Sequence, residues 1–489
     1  MRTTLRTALW GLLLPWLFAT CQSGPGTRTV KLTIQSTPQL PLPVKLDTLD
    51  MISTASLIPT ETALDSAGRI VLELELPRPM FATLELGERF QTLYLTPGDE
   101  LTIHYDTTGH RFRFEGTSAI ANTYLYQEGY LSRQLDAGMY QRDIDLDTFI
   151  ARLDSAKNIL AEFHQHYLDS TGLSASLGTL FKQRRELGYL WDKQWFFRSH
   201  YYAEDNPDVP EVIANVWSEI PFDSTLLQTA MYSYSLVLDY YLDLHMYPSV
   251  YPEDASDAEY DSLETLFPFL AYEKIKQTHP SPAFQEYFQA KVLSYSLRIY
   301  GITPVIDSFY TQFKQTYPAS RFRPSVETKY QQWVALSPGQ PAPDIRGITP
   351  DGKAFSLREL RDKVVYVDVW ATWCGPCVEQ FSHAKKVKKQ FEGNDQVAFL
   401  YVSVDQNTEA WKKYLRKNPD LTGVHINQNP DAEGTSSVYE DYLINGIPRF
   451  ILIDPQGKIV NVKAVAPSNG ELEKEIRKVL GRQQPVASL

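Results

Sequence analysis

The chain has 489 residues, a formal net charge of −12 at pH 7 and three cysteines. A negatively charged protein repels the phosphates of nucleic acid, so we do not expect a DNA or RNA partner. The length exceeds the roughly 250–300 residues at which a single hydrophobic core stops growing, so we expect several domains. Sequence patterns divide the chain into an N-terminal export segment, a β-rich region, a helical region and a C-terminal region that mixes strands and helices.

Residues 1–21 have the features of an export signal. A basic start is followed by the apolar stretch 8–19, which is too short to span a bilayer because that takes about 20 residues. Residues 17–21 (LFATC) resemble a bacterial lipobox, in which Cys21 becomes the lipid-bearing first residue after cleavage. We therefore expect a lipoprotein that faces the periplasm in the bacterial cell envelope. Its only expected contact with a membrane is the lipid on Cys21, and the choice between inner and outer membrane is left open.

Residues 27–117 show the pattern of short β-strands separated by turns. Apolar residues alternate with polar ones over 30–34, and 69–76 and 91–95 are rich in strand-forming residues. The sequence PGDE at 97–100 has the composition of a turn. Several short strands at this spacing predict a β-sandwich for the region.

Residues 119–335 have the periodicity of helices. Apolar side chains recur every three or four residues up to Tyr167, which predicts a helix with one apolar face that begins near Asp147. His164 and His166 lie two positions apart on this helix and therefore on opposite sides, so they do not form a metal-binding pair. Further helices are predicted over 176–202, 223–245, 283–299, 303–316 and 324–335.

Two of the three cysteines, Cys374 and Cys377, form a CxxC pair within the sequence WCGPC. The apolar run 364–370 before them predicts a buried strand, and the segment 378–391 after them predicts an amphipathic helix. Cys374 therefore begins a helix, where unpaired N–H groups and the helix dipole favour the thiolate over the thiol. A thiolate attacks disulfides, and Cys377, one helical turn further on, can then displace the mixed disulfide. The pattern predicts redox chemistry at this pair.

A zinc site is the main alternative for a CxxC pair. Four-coordinate zinc needs two further ligands, usually a second cysteine pair or two spaced histidines. The remaining cysteine, Cys21, lies in the export segment, and neither His383 nor His425 has a second histidine at a suitable spacing. We therefore expect neither a metal site nor any other bound cofactor.

Residues 367–377 (VDVWATWCGPC) resemble the active-site segment of the thioredoxins, and residues 336–489 resemble the TlpA/ResA-like thiol-disulfide oxidoreductases. The supporting elements occur in the family's order, with a buried strand over 396–404, a charged helix over 408–417 and a strand over 450–454. The upstream block YLTPGD is similar to an uncharacterised β-domain found ahead of thioredoxin modules in bacterial lipoproteins, and it implies no activity. The expected architecture is therefore multidomain, with an N-terminal β-sandwich, a central α-helical region and a C-terminal α/β thioredoxin fold.

The resemblance also implies roles for individual residues. The buried acid of thioredoxins corresponds to Asp368, which would accept the proton of Cys377, although strand alternation also allows an exposed aspartate here. The cis-proline of the family corresponds to Pro448, which would present the Ile447 backbone to a substrate chain. The alternative for Pro448 is that it only starts an edge strand.

The remaining residues of the motif, Trp373, Gly375 and Pro376, are expected to support the active site. One nearby position departs from the family, because the chain has Gln380 where TlpA/ResA-like proteins often carry a glutamate. The neighbouring Glu379 is rotated by about 100° around the helix, so it cannot take over that role.

The CxxC pair and the resemblance together predict an enzyme, a lipid-anchored thiol-disulfide oxidoreductase that reduces protein disulfides. Its expected partners are protein thiols or disulfides and an upstream electron donor. A Gly-Pro dipeptide between the cysteines matches the reducing thioredoxins, but a disulfide oxidase or isomerase is left open. A second alternative is an envelope protein that binds a ligand or partner, with the thioredoxin module as an accessory. We expect the upstream regions to recognise the client, because their many aromatic residues suit interfaces.

Overall fold

The computed structural model describes residues 28–481 except 50, 53, 57–61, 137, 202–208, 251–265, 280 and 429–436. The predicted export segment, including Cys21, lies outside the described residues. Within the described part of the chain, no helix has both the length and the apolarity needed to cross a membrane. The structure divides into two compact units, one ending at Met246 and one beginning at Tyr247.

The N-terminal unit begins with a β-sandwich, as the sequence predicts. Its two four-stranded sheets have the strand orders β4-β1-β7-β8 and β3-β2-β5-β6. Alternate residues of both sheets, such as Leu32, Leu46, Leu84 and Ile103, are buried in one hydrophobic cluster between them. The strands are β1 (Arg28–Thr37), β2 (Val44–Leu49), β3 (Thr54–Ser56), β4 (Arg69–Leu76), β5 (Met80–Leu86), β6 (Arg89–Leu95), β7 (Glu100–Asp106) and β8 (Arg111–Gly116).

Five α-helices follow the sandwich in the same unit. The helix predicted from Asp147 begins one residue earlier, because Asp145 caps it by accepting the N–H of Thr148 at 2.8 Å. His164 is buried on the apolar face of this helix and bonds the Tyr124 hydroxyl at 2.9 Å, whereas His166 is exposed. The helices are α1 (Ala119–Leu135), α2 (Leu146–Thr171), α3 (Ala175–His200), α4 (Glu211–Ala214) and α5 (Tyr232–Tyr241).

The described part of the C-terminal unit begins with four more α-helices, so the predicted helical region 119–335 is shared between the two units. The first of these helices was not predicted individually. Gly301 ends the second with φ +72, and a Cβ there would lie 3.1 Å from the Trp333 ring, so both conformation and space favour glycine. The helices are α6 (Phe267–Thr278), α7 (Pro282–Tyr300), α8 (Pro304–Thr316) and α9 (Arg323–Val334).

The rest of this unit is a seven-stranded mixed sheet with helices, which confirms the predicted α/β thioredoxin fold. The strand order is β10-β9-β13-β12-β11-β14-β15, and every residue of the central strand β11 is buried. Strand β11 pairs in parallel with β12 and antiparallel with β14. The elements are β9 (Arg346–Ile348), β10 (Ala354–Ser356), β11 (Val364–Trp370), α10 (Gly375–Lys389), β12 (Val397–Ser403), α11 (Thr408–Lys417), β13 (Val424–Asn427), α12 (Val438–Asp441), β14 (Arg449–Ile453), β15 (Ile459–Asn461) and α13 (Leu472–Gly481).

Candidate active site

The two cysteines of the CxxC pair lie at the first turn of helix α10. Cys374 is the N-cap residue, and its Sγ accepts the backbone N–H of Cys377 at 3.2 Å. The two sulfur atoms are joined in a disulfide, with 5.3 Å between the Cα atoms. Cys374 is 5 % exposed and Cys377 is fully buried, so Cys374 is the sulfur closer to solvent. The helix N-terminus favours negative charge on the Cys374 sulfur once the disulfide is reduced.

The surface around the disulfide is formed by the other residues of the motif. Trp373 is 68 % exposed, which makes it the most exposed large apolar side chain among the described residues. Gly375 and Pro376 are also exposed, and Pro376 occupies the first turn of α10, where its missing N–H costs nothing. Trp370, at the end of β11, is instead buried and packs edge-on against Phe381 of α10 at 4.8 Å between ring centroids.

Asp368 is a buried carboxyl in the middle of the sheet. It is 1 % exposed, so the alternative of an exposed aspartate does not fit the structure. Within the described part of the chain, neither of its carboxyl oxygens has a hydrogen-bond partner, and burial raises its pKa to about 8. Side chains alternate along a strand, so Asp368 points to the same face of β11 as Trp370, the face on which α10 packs.

The peptide bond between Ile447 and Pro448 is cis. Strand β14 starts directly after it, and its first residue, Arg449, pairs with Val369 of β11. Pro448 therefore lies at the end of the sheet where β11 leads into the CxxC pair. The edge-strand alternative for Pro448 does not fit, because β14 lies between β11 and β15.

A second buried carboxylate, Asp405, supports the chain segment just before the cysteines, and the sequence analysis missed it. Asp405 is 2 % exposed and accepts the Thr372 backbone N–H at 3.0 Å and the Thr372 hydroxyl at 2.6 Å. It also accepts the Ser403 hydroxyl at 2.8 Å. A signal was present in the sequence, because Asp405 follows a predicted buried strand parallel to β11, and the carboxyl ends of parallel strands meet at one edge of the sheet.

Replacing Asp405 with alanine should lower the free energy of unfolding of the C-terminal unit by about 2–4 kcal/mol. Three donors from Thr372 and Ser403 would lose their common acceptor while still buried or half-buried. Urea unfolding of the full-length protein measures the change. The exposed Asp395, replaced in the same way, serves as the control and should change the stability by less than about 0.5 kcal/mol. Equal effects of the two substitutions would contradict the supporting role of Asp405.

The position that departs from the family, Gln380, is half-buried on α10. Its Oε1 accepts the backbone N–H of Ser468 at 3.1 Å, while Glu379 is exposed. Gln380 therefore joins α10 to the segment that follows β15. Because its side chain is neutral, it cannot supply the negative charge that a glutamate would have at this position. Among the described residues, no group of three or more His, Cys, Asp or Glu side chains is arranged to hold a metal ion.

Comparison with known proteins finds a thioredoxin-like family and relatives named as thiol-disulfide oxidoreductases. Residues 362–459 match a thioredoxin-like protein family. The chain is 26 % identical over 150 residues to the thioredoxin-like protein YneN of Bacillus subtilis, which covers 31 % of this chain and 85 % of YneN. It is 28 % identical over 128 residues to the thiol-disulfide oxidoreductase ResA of Bacillus subtilis, which covers 26 % of this chain and 68 % of ResA.

A solved structure gives a comparable match. The thioredoxin domain of a thiol-disulfide oxidoreductase from Bacteroides vulgatus is 31 % identical, covers 29 % of this chain and 97 % of that chain, and has a TM-score of 0.26. Each of the three matches covers less than a third of this chain. The family match at 362–459 does not include the β-sandwich or helices α1–α9.

Proposed function

Because the C-terminal domain of this chain belongs to the thioredoxin-like thiol-disulfide oxidoreductases, we propose that the protein reduces disulfides of client proteins through Cys374 and Cys377. The observation that carries this proposal is the difference between the two sulfurs. Cys374 caps the N-terminus of α10 and reaches solvent, while Cys377 is buried one turn further into the helix. Cys374 is therefore placed to attack a client disulfide, and Cys377 is placed to displace the client from the mixed disulfide.

The first step is the attack of the Cys374 thiolate on one sulfur of a client disulfide. A new bond forms between Cys374 Sγ and that sulfur, the client S–S bond breaks, and the other client sulfur leaves as a thiolate. The N-terminus of α10 stabilises the attacking thiolate, because the N–H of Cys377 points at Cys374 Sγ. The client is then covalently attached to the protein.

The second step releases the client and oxidises the pair. The Cys377 thiol loses its proton and its sulfur attacks Cys374 Sγ. The bond between Cys374 Sγ and the client sulfur breaks, and that client sulfur leaves as a thiol or thiolate. We assign the proton to the carboxylate form of Asp368, which is the minor form at pH 7 because burial raises the pKa to about 8, and which is for the same reason a stronger base than an ordinary aspartate. The product is the Cys374–Cys377 disulfide seen in the structure, and an upstream electron donor must reduce it again.

The lipobox resemblance of residues 17–21 supports placing this activity in the bacterial envelope, on a lipid anchor at Cys21. The reducing direction is supported by the Gly-Pro dipeptide of the motif, and the redox potential of the pair tests it. A potential near that of thioredoxin, about −270 mV, would agree with a reductant, and one near about −120 mV would indicate an oxidase.

Brief alkylation of the reduced protein at pH 7 with iodoacetamide should modify Cys374 at least about tenfold faster than Cys377, because Cys374 is the more accessible sulfur and the one at the helix N-terminus. Peptide mass spectrometry measures the two rates separately. A denatured sample provides the control, since both cysteines should then react alike. Equal or reversed rates in the folded protein would overturn the assignment of the attacking sulfur.

A further inference from the structure

Two cationic side chains lie beside the loop that carries Pro448. Arg449 directly follows the cis-proline, is half-buried, and donates from Nη2 to the Asn445 side-chain oxygen at 3.0 Å. Lys463 lies in the segment after β15, and the next residue, Ala464, donates its N–H to the Phe450 carbonyl at 3.0 Å. Both cations therefore flank the start of β14, at the end of the sheet that leads into the CxxC pair.

Helices that precede the thioredoxin-like domain contact Lys463 and Asn445. The Lys463 ammonium bonds the carbonyl oxygen of Ile299, near the end of α7, and lies 5.1 Å from the centre of the Trp333 ring on α9. The Asn445 side chain donates to the carbonyl of Arg298 at 3.5 Å. Helices α7 and α9 thus form a wall next to the Pro448 loop, within the C-terminal unit.

The two cations have no acidic partner within the described residues. Neither Arg449 nor Lys463 forms an ion pair there, and their polar partners are neutral oxygens. A guanidinium carries five N–H donors, so most of the donor capacity of Arg449 is not used by the Asn445 oxygen. Burial is the main cause and the charge of Arg449 the second cause that together lower the pKa of Lys463 to about 8. Two partly desolvated positive charges near each other are stabilised by an added negative charge.

We propose that Arg449 and Lys463 form a recognition site for an acidic side chain in the client segment that binds along the Pro448 loop. The inference rests on the proposed function and names its substrate class: disulfide-containing polypeptide segments with an aspartate or glutamate near the reactive cysteine. The planar guanidinium of Arg449 suits a carboxylate, which it can bind through two parallel N–H bonds. The wall formed by α7 and α9 keeps Lys463 in place and so acts as a positioning element.

The test uses the full-length reduced protein and three synthetic peptides, each closed by one internal disulfide and differing only in a Glu, Gln or Lys beside one cysteine. Stopped-flow tryptophan fluorescence of the protein follows the reaction, and each rate is divided by the rate with 2-hydroxyethyl disulfide to cancel general effects. We expect the Glu peptide to react about tenfold faster than the Lys peptide at low salt, with the Gln peptide in between. The ratio should fall toward one in 0.5 M NaCl, where charges are screened.

Substitutions of Arg449 and Lys463 test whether these two cations cause the difference in rate between the Glu and Lys peptides. Arg449→Gln and Lys463→Met should each lower the Glu-to-Lys rate ratio at least threefold, and Arg449→Lys should keep part of it because the charge is retained. Lys478→Met removes an exposed lysine from α13 and should leave the ratio unchanged. Equal rates for the three peptides, or an unchanged ratio in both cation variants, would overturn the recognition site. Failure of the protein to reduce even 2-hydroxyethyl disulfide would instead overturn the proposed function.

Discussion

Replacing Cys374 with serine should lower the rate of disulfide reduction at least about a thousandfold, because no other described thiol has access to solvent. Replacing Cys377 with serine should have a different result. Attack by Cys374 would still occur, but the mixed disulfide could not be resolved, so one client molecule would remain bound to each protein molecule. The rate of reduction of 2-hydroxyethyl disulfide by the purified variants measures the first outcome, and non-reducing gel electrophoresis of envelope extracts from cells that express each variant measures the second.

The double variant with serine at both positions is the matched control, since it keeps the volume of both side chains but cannot form a mixed disulfide. A client captured by the Cys377→Ser variant and absent from the double variant would identify the substrate directly. Capture by the Cys374→Ser variant in place of Cys377→Ser would reverse the two roles. Capture by neither single variant would contradict a protein disulfide as the substrate.

Replacing Asp368 with asparagine should stabilise the protein by about 2–4 kcal/mol at pH 7 and by little at pH 4. In the folded state Asp368 keeps its proton up to about pH 8, whereas in the unfolded state it loses the proton near its ordinary value of 3.8. Between these pH values the folded state binds more protons, so the free energy of unfolding falls as the pH rises. Asparagine does not titrate, so the free energy of unfolding of the variant does not fall in this way between about pH 4 and pH 8.

Urea unfolding at a series of pH values measures the effect, with the exposed Asp395→Asn as control. The same Asp368 variant should slow the release of client from the mixed disulfide by about 10²-fold, because the amide cannot accept the proton of Cys377. Initial attack by Cys374 should change much less. A variant that is no more stable than the wild type at pH 7 would contradict the raised pKa, and normal client release would contradict the assignment of Asp368 as base.

Local patterns in the sequence predicted the elements around the cysteines well. The run 364–370 is a strand with those bounds, and 408–417 is a helix with those bounds, because strong apolar periodicity and clear ends coincide there. The segment 378–391 forms most of a helix that runs from Gly375 to Lys389, and Cys374 stands at its N-terminus, where the sequence predicts it. Helix α6 was not singled out, because its short apolar run follows a long polar stretch.

Features that depend on distant parts of the chain could not be predicted in the same way. Asp405 accepts the Thr372 hydroxyl because β11 and β12 are neighbours in the sheet. A single residue after a strand belongs to no periodic pattern, so the sequence around Asp405 does not indicate this contact. The contact between Lys463 and Ile299 joins segments far apart in the sequence. The sequence predicts that the thioredoxin-like region starts at 336, close to a proline-rich segment at 338–343, whereas the two compact units divide between Met246 and Tyr247.

That division matters for anyone who cuts, fuses or grafts this chain. A fragment that starts after the proline-rich segment would lose the helix carrying Trp333, and Lys463 would lose both its aromatic neighbour and its carbonyl acceptor. Such a fragment would keep Cys374 and Cys377, but the proposed recognition site would lose the two groups that hold Lys463 in place. A fragment that begins at Tyr247 contains the reactive sulfurs, the proposed recognition site and the helices that hold Lys463, so it is the piece to exchange in a test of whether that site sets the choice of client.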